Sequence, residues 1–232
     1  MGGSVVLQIV IGLISLGLSV GFVIWMENTR KPKLALTIVD PVNDSYPAGK
    51  PANKIRWLRL MVENKQLPRL LKWLSRNPAF HCSGSITFHH LDGQNVFGRC
   101  MPARWFDPRE PLPIPIVDKN WKERLYILDP VRLAPEIYRN IYLEAPEKLD
   151  VVARFDNDGE CYGWCNENYR SDPLWRTPNW KLSPRRYLVE VTISCAGEKH
   201  DYVFRLINDV PVDAFRFEKA QPGDRKKVCK NA

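Results

Sequence analysis

Histidine and cysteine cluster between residues 81 and 90, where His81, Cys82, His89 and His90 are side-chain types that ligate zinc. Their spacing argues against one shared ion. Neighbours on a strand point to opposite faces, the apolar companions of Cys82 put its thiol inside, and His89 lies about 27 Å from His81 along an extended strand. Cys82 is therefore read as a buried structural thiol, and the histidines as solvated. Asp156-Asn157-Asp158-Gly159-Glu160 has the opening of a calcium loop. An EF-hand needs a further acidic or amide residue before the glycine and a Glu six positions after it. Neither is present, and the Asp-Gly pair reads as a turn.

Other chemistries are excluded in the same way. Cys161 and Cys165 stand four apart with no second pair to complete a four-thiolate zinc site. Cys229 is fourth from the end, but Lys230 and Asn231 are not the aliphatic residues of a prenylation box. The chain has no Gly-x-Ser-x-Gly elbow, no phosphate-cradling Gly-rich loop and no His-Glu-x-x-His helix. No catalytic residue, cofactor or metal ligand is assigned. What remains is the long stretch 156–186, with Tyr162, Trp164, Tyr169, Trp175 and Trp180 among Asn166, Asn168, Arg170, Arg176 and Asn179. Flat apolar rings beside amide and guanidinium donors suit a protein or glycan partner. Tyr169, Arg170, Trp175, Arg176, Asn179 and Trp180 form the candidate contact surface, with Trp164 expected to be structural and Trp175 and Trp180 reachable. The competing reading folds the rings back to cap the domain.

The elements that must hold this loop are strands. Leu34, Leu36 and Ile38 alternate; so do Leu58, Leu60 and Val62, opposite Arg59, Met61 and Glu63. Phe80, Cys82, Ile86 and Phe88 share one face of a third strand, and Asp92-Gly93 signals a hairpin into residues 96–101. Leu149, Val151, Ala153 and Phe155 alternate, as do residues 187–195 and 202–206, and residues 214–217 add a short last strand. Period two with one wet face predicts an antiparallel, immunoglobulin-like β-sandwich over 33–218. Leu67, Leu70, Leu71 and Leu74 predict a short amphipathic helix over 66–76. The proline-rich crossing and insertion at 102–146 receives no assignment, and 219–232 reads as a basic, solvated tail.

Residues 1–3 are a short tail and 4–26 an uncharged apolar run long enough to cross a bilayer. The run is too long, and its start too poor in Lys and Arg, for a cleaved signal peptide. A single-pass transmembrane helix is expected, with 27–32 as juxtamembrane linker. Arg30, Lys31 and Lys33 flank it, so the domain is expected in the cytoplasm, with export as the alternative. Gly17 and Gly21 allow close pairing with a second helix. The net charge of +8 is scattered and has no nucleic-acid motif beside it; attraction to the bilayer explains it. The expected function is a membrane-anchored, non-catalytic binding or scaffold module. The alternative is a glycan- or lipid-acting hydrolase with its site in 156–186.

Overall fold

The computed structural model describes residues 2–45, 54–71, 73–106, 114–116, 125–127, 137–155, 158–171, 175–195 and 197–230. Asp156 and Asn157 of the calcium-like turn, and residues 107–113, 117–124 and 128–136 of the 102–146 crossing and insertion, lie outside them. Helix α1 (Gly2–Arg30) is followed by strands β1 (Leu34–Ile38), β2 (Val42–Ser45), β3 (Lys54–Asn64), β4 (Ala79–His89), β5 (Met101–Pro102), β6 (Arg104–Trp105), β7 (Ile114–Ile116) and β8 (Leu125–Ile127). Then come β9 (Arg139–Ile141), β10 (Glu147–Phe155), β11 (Cys161–Gly163), β12 (Lys181–Leu182), β13 (Arg186–Cys195), β14 (Glu198–Ile207), β15 (Arg216–Lys219) and helix α2 (Asp224–Lys230).

The chain is mostly β, in two antiparallel sheets. The first is seven-stranded, ordered β1-β3-β10-β11-β12, with β2 on β3 and β6 on β10. The second is six-stranded, ordered β15-β14-β13-β4-β5, with β9 on β4; β7 and β8 pair with each other. Leu58, Leu60 and Val62 from β3, Leu149 from β10, Ile86 and Phe88 from β4, and Val189, Val191 and Ile193 from β13 meet in one core between the sheets. Two glycines sit in close quarters: at Gly163, on the first sheet, a Cβ would lie 2.9 Å from the Met101 sulfur and 3.0 Å from the Phe88 ring of the second, and at Gly84 a Cβ would lie 2.9 Å from the Ala103 Cβ. Tyr187 opens β13 buried, and its hydroxyl donates to the Ser183 carbonyl at 3.1 Å.

Several expectations need correcting. The 66–76 helix is only a single 3-10 turn, Arg69–Leu71. Pro68 disfavours the helical region for Leu67 and supplies no amide donor. On β4, His81 adopts φ 57°, and the ladder to β9 slips between Ala79 and Cys82. That irregularity reverses the side-chain parity, so Cys82 is buried while Phe80 turns outward. His89 is buried rather than solvated, held by the Gly93 carbonyl at 3.0 Å and Glu190 at 3.3 Å. The register also slips in β10 between Asp150 and Val152. Leu149, Val151 and Val152 therefore face the shared core, whereas Ala153 and Phe155 face the opposite side. Residues 96–100 form no strand, although Val96 N donates to Phe88 O at 2.8 Å, and pairing with β4 resumes only at Met101 in β5.

The ends differ too. Helix α1 extends into the expected 27–32 linker and ends at Arg30. Within it, Val10–Arg30 is long and apolar enough to span a membrane, with mean hydropathy 1.9. The C-terminal tail is not simply solvated: α2 docks by burying Val228 and Asp224. The Asp224 carboxylate accepts two hydrogen bonds from Arg205, at 2.7 and 2.9 Å.

Candidate functional site

The outer face of the first sheet carries Ile55 and Trp57 from β3, Ala153 and Phe155 from β10, and Tyr162 from β11. Left open, this face would expose a large apolar area. The loop after β11 covers it with Trp164, Tyr169 and Trp175, all buried, making a second core. Trp164 is its centre: the Trp57 ring meets it edge-on at 4.3 Å, and the Tyr169 and Trp175 rings stand at 5.4 and 5.7 Å. Trp180 crosses instead into the main core, edge-on to Phe97 at 5.1 Å. The rings are thus turned inward, and the expected exposure of Trp175 and Trp180 is not met. The covering of a wide apolar sheet face outweighs display of the rings.

Polar side chains fasten the loop. Buried Asn168 accepts the Cys165 amide at 2.9 Å and donates to the Trp175 carbonyl at 3.1 Å. That second bond pins a residue at φ 66°, a left-handed conformation uncommon for a bulky side chain. Glu167 accepts the Trp180 indole N–H at 3.0 Å and the Asn179 amide at 3.2 Å. Arg176 donates to Asp158 at 2.6 Å while its guanidinium lies 3.9 Å from the Phe155 ring centre. Arg104 reaches across to Asn166 at 2.7 Å and packs 4.7 Å from the Tyr169 ring. Cys165 is buried beneath, and desolvation pushes its thiol up to about 11.

Beside the second core, on the same face, Arg59 of β3 and Asp150 of β10 form a buried ion pair at 2.6 Å. The Phe106 ring lies 4.1 Å from the Arg59 guanidinium. Burial pushes the Asp150 carboxyl above its ordinary range, against the pull of Arg59, Arg104 and Lys148. Among the described residues, its second oxygen has no hydrogen-bond partner, nor do the indole nitrogens of Trp57 and Trp164 or the Tyr169 hydroxyl. The strand alternation puts Arg59 on a wet face, whereas Arg59 and Asp150 are both buried. The signal in the sequence is one charge inside each of the apolar stretches 57–62 and 149–153.

The candidate contact residues therefore separate. Tyr169 and Trp175 are interior and touch, with ring centres 5.7 Å apart. Trp180 is interior to a different core. Arg170 and Asn179 face solvent, and Arg176 is half-buried. Of the loop's carboxylates, Asp158 is held by Arg176, Glu160 pairs with Lys181 at 2.7 Å, and Glu167 is bound as above. Among the described residues, no group of three His, Cys, Asp or Glu side chains is placed to hold a metal. Comparison with family models, curated proteins and solved structures finds no match to this chain.

Proposed function

We propose that the chain is a membrane-anchored, non-catalytic binding or scaffold module on an immunoglobulin-like β-sandwich. The sheet orders support the fold: β1, β3 and β10 fall where strands A, B and E do, with β6 beside β10 in the place of D, and β4, β13 and β14 fall where C, F and G do. The Tyr187–Ser183 bond has the form of a tyrosine corner. Val189 stands where the second disulfide cysteine would be, so packing takes the place of that cross-link. Helix α1 supplies the anchor, and the basic flank Arg30, Lys31 and Lys33 favours a cytoplasmic domain.

The observation that carries the binding reading is the division of labour in 158–180. Its rings and Asn168 make a fixed base, and Arg170, Asn179 and Glu167 stand on its solvent side. A pre-ordered polar rim loses little entropy on engaging a protein or glycan. The carboxylates that a hydrolase would need are already tied to Arg176, Lys181 and Trp180. A photo-crosslinker at position 170 or 179 of the full chain should capture one discrete adduct in membranes. The adduct from position 179 should vanish with Arg170→Glu, and the adduct from position 170 with Asn179→Arg. Equal adducts from position 170 and from a distant control at position 91 would refute the reading. Protease added to intact cells should leave the domain uncut if it is cytoplasmic, and digestion would reverse the orientation.

A further inference from the structure

We infer that the 66–76 loop, with its neighbours on β4 and β9, is an interfacial foot that seats the domain on the lipid bilayer beside α1. The inference rests on the anchor reading above. Outside α1, apart from Val42 and Leu91, the exposed large apolar side chains of the described residues all lie within 70–80 and 137–142. Leu70 is 91% exposed and Trp73 65% exposed, values that a purely aqueous surface does not reward.

Local geometry puts them there. Leu71 N donates to Pro68 O at 2.8 Å, and Leu74 N to Leu71 O at 2.9 Å. Turns of this kind repeat every three residues. Leu71 and Leu74 thus face the domain, Leu71 partly buried and Leu74 buried, and Leu70 and Trp73 face away. The ladder of β4 with β9 then brings up further aromatics. Phe80 meets Tyr142 with ring centres 6.4 Å apart, and Tyr138 stacks on His81 at 4.0 Å.

This end of the domain is bonded to the end of the anchor. Asn77 N donates to Arg30 O at 2.7 Å, Arg30 Nε to Ser75 O at 3.3 Å, and Arg76 to Lys31 O at 2.6 Å. Arg30 stands about 8 Å along the helix from Trp25, at 1.5 Å per residue. Trp25 is the aromatic that marks the edge of the apolar run, so residues bonded at Arg30 stand at headgroup depth. Trp and Tyr concentrate at that depth, and exposed Lys31, Lys33, Lys65 and Arg69 suit its phosphates. Glu27, Glu63, Glu144 and Glu198 stand nearby, Glu198 paired with Lys31 at 3.5 Å, so apolar insertion rather than net charge carries the contact.

Spin-label depth measurement on the full chain tests this, in vesicles of phosphatidylcholine with a minor fraction of phosphatidylserine. Cys100→Ser and Cys229→Ser remove the exposed thiols, and Leu16→Cys, Leu70→Cys or Leu91→Cys carries the label. Leu91 follows the far end of β4, about 33 Å from its start, and reports the aqueous side. The position-70 label should be more accessible to oxygen and less to a water-soluble nickel chelate than the position-91 label, with a depth shifted towards that of position 16. Position 70 matching position 91 while position 16 lies in the bilayer would overturn the foot and leave the anchor standing. Position 16 reading as aqueous would overturn the anchor itself. Shielding of position 70 from both reagents would mean that a protein or a second copy covers the patch, and would also overturn the inference.

Discussion

Replacing Trp164 by Ala tests whether the second core is a structural unit. A fully buried aromatic ring removes about 150–250 Å² from water, worth roughly 4–6 kcal/mol at about 25 cal/mol per Å². Its edge-on contacts with Trp57, Tyr169 and Trp175 add to this. Against it stands an indole N–H buried without a partner, whose removal returns about 1–3 kcal/mol. The expected net loss is roughly 3 kcal/mol, which lowers the melting temperature by about 6–12 °C for a chain of this size. Trp164→Phe separates the two contributions: it keeps most of the ring contact, deletes the orphan donor, and should cost about 1 kcal/mol or less. Denaturant and thermal unfolding of the full chain in mild detergent give both numbers, and near-ultraviolet circular dichroism reports the coupled rings. A loss below about 1 kcal/mol for the Ala variant would refute the packing argument. A Phe variant as damaged as the Ala variant would refute the account of the orphan N–H.

Arg59→Ala strands Asp150 in the interior and should cost about 3–5 kcal/mol, whereas Arg59→Met with Asp150→Leu should be far milder; equal losses in denaturant midpoint would overturn this. In native protein, Cys100 and Cys229 should react with a maleimide at once, while Cys82, pushed up to about 12 by burial and by Cys195, and Cys195 itself should react only on unfolding. Fast labelling of either buried thiol would contradict their placement. Arg205 holds the Asp224 carboxyl below its ordinary range. The unfolded chain therefore binds the extra proton first in acid. This contribution to stability is complete above the ordinary carboxylate range and is lost as pH falls through the folded value. Asp224→Asn should flatten the acid limb of a melting-temperature profile, and an unchanged limb would count against the α2 docking.

The long strands were legible because period two survives across 58–62, 187–195 and 202–206, where each residue on the core face is apolar. It misled wherever one residue broke the count. A left-handed His81 and the irregularity at Asp150–Val152 each flip the faces beyond them, and neither has a sequence signature such as glycine. The loop's aromatic content was visible, but not the direction of its rings. That direction depends on the outer face of β3 and β10, whose Trp57 and Phe155 lie far away in sequence. Alternation carries a second meaning here: the residues opposite a core face need not be wet if another segment covers them. The 66–76 leucines imitate a helix because periods of three and of 3.6 coincide over two turns, and Pro68 decides between them.

The joint between α1 and the domain has a mechanical consequence. Arg30, Lys31 and Lys33 are each hydrogen-bonded to residues of 64–77, within three positions of the helix end. Torque on the helix is therefore delivered to the sheets instead of being dissipated in a swivel. One residue inserted before Arg30 would turn the domain by about 100° about the helix axis, the angle set by 3.6 residues per turn. Two copies clasped through Gly17 and Gly21 would hold their domains at one fixed azimuth, presenting the 158–180 rims as a matched pair whose mutual angle is written into helix phase.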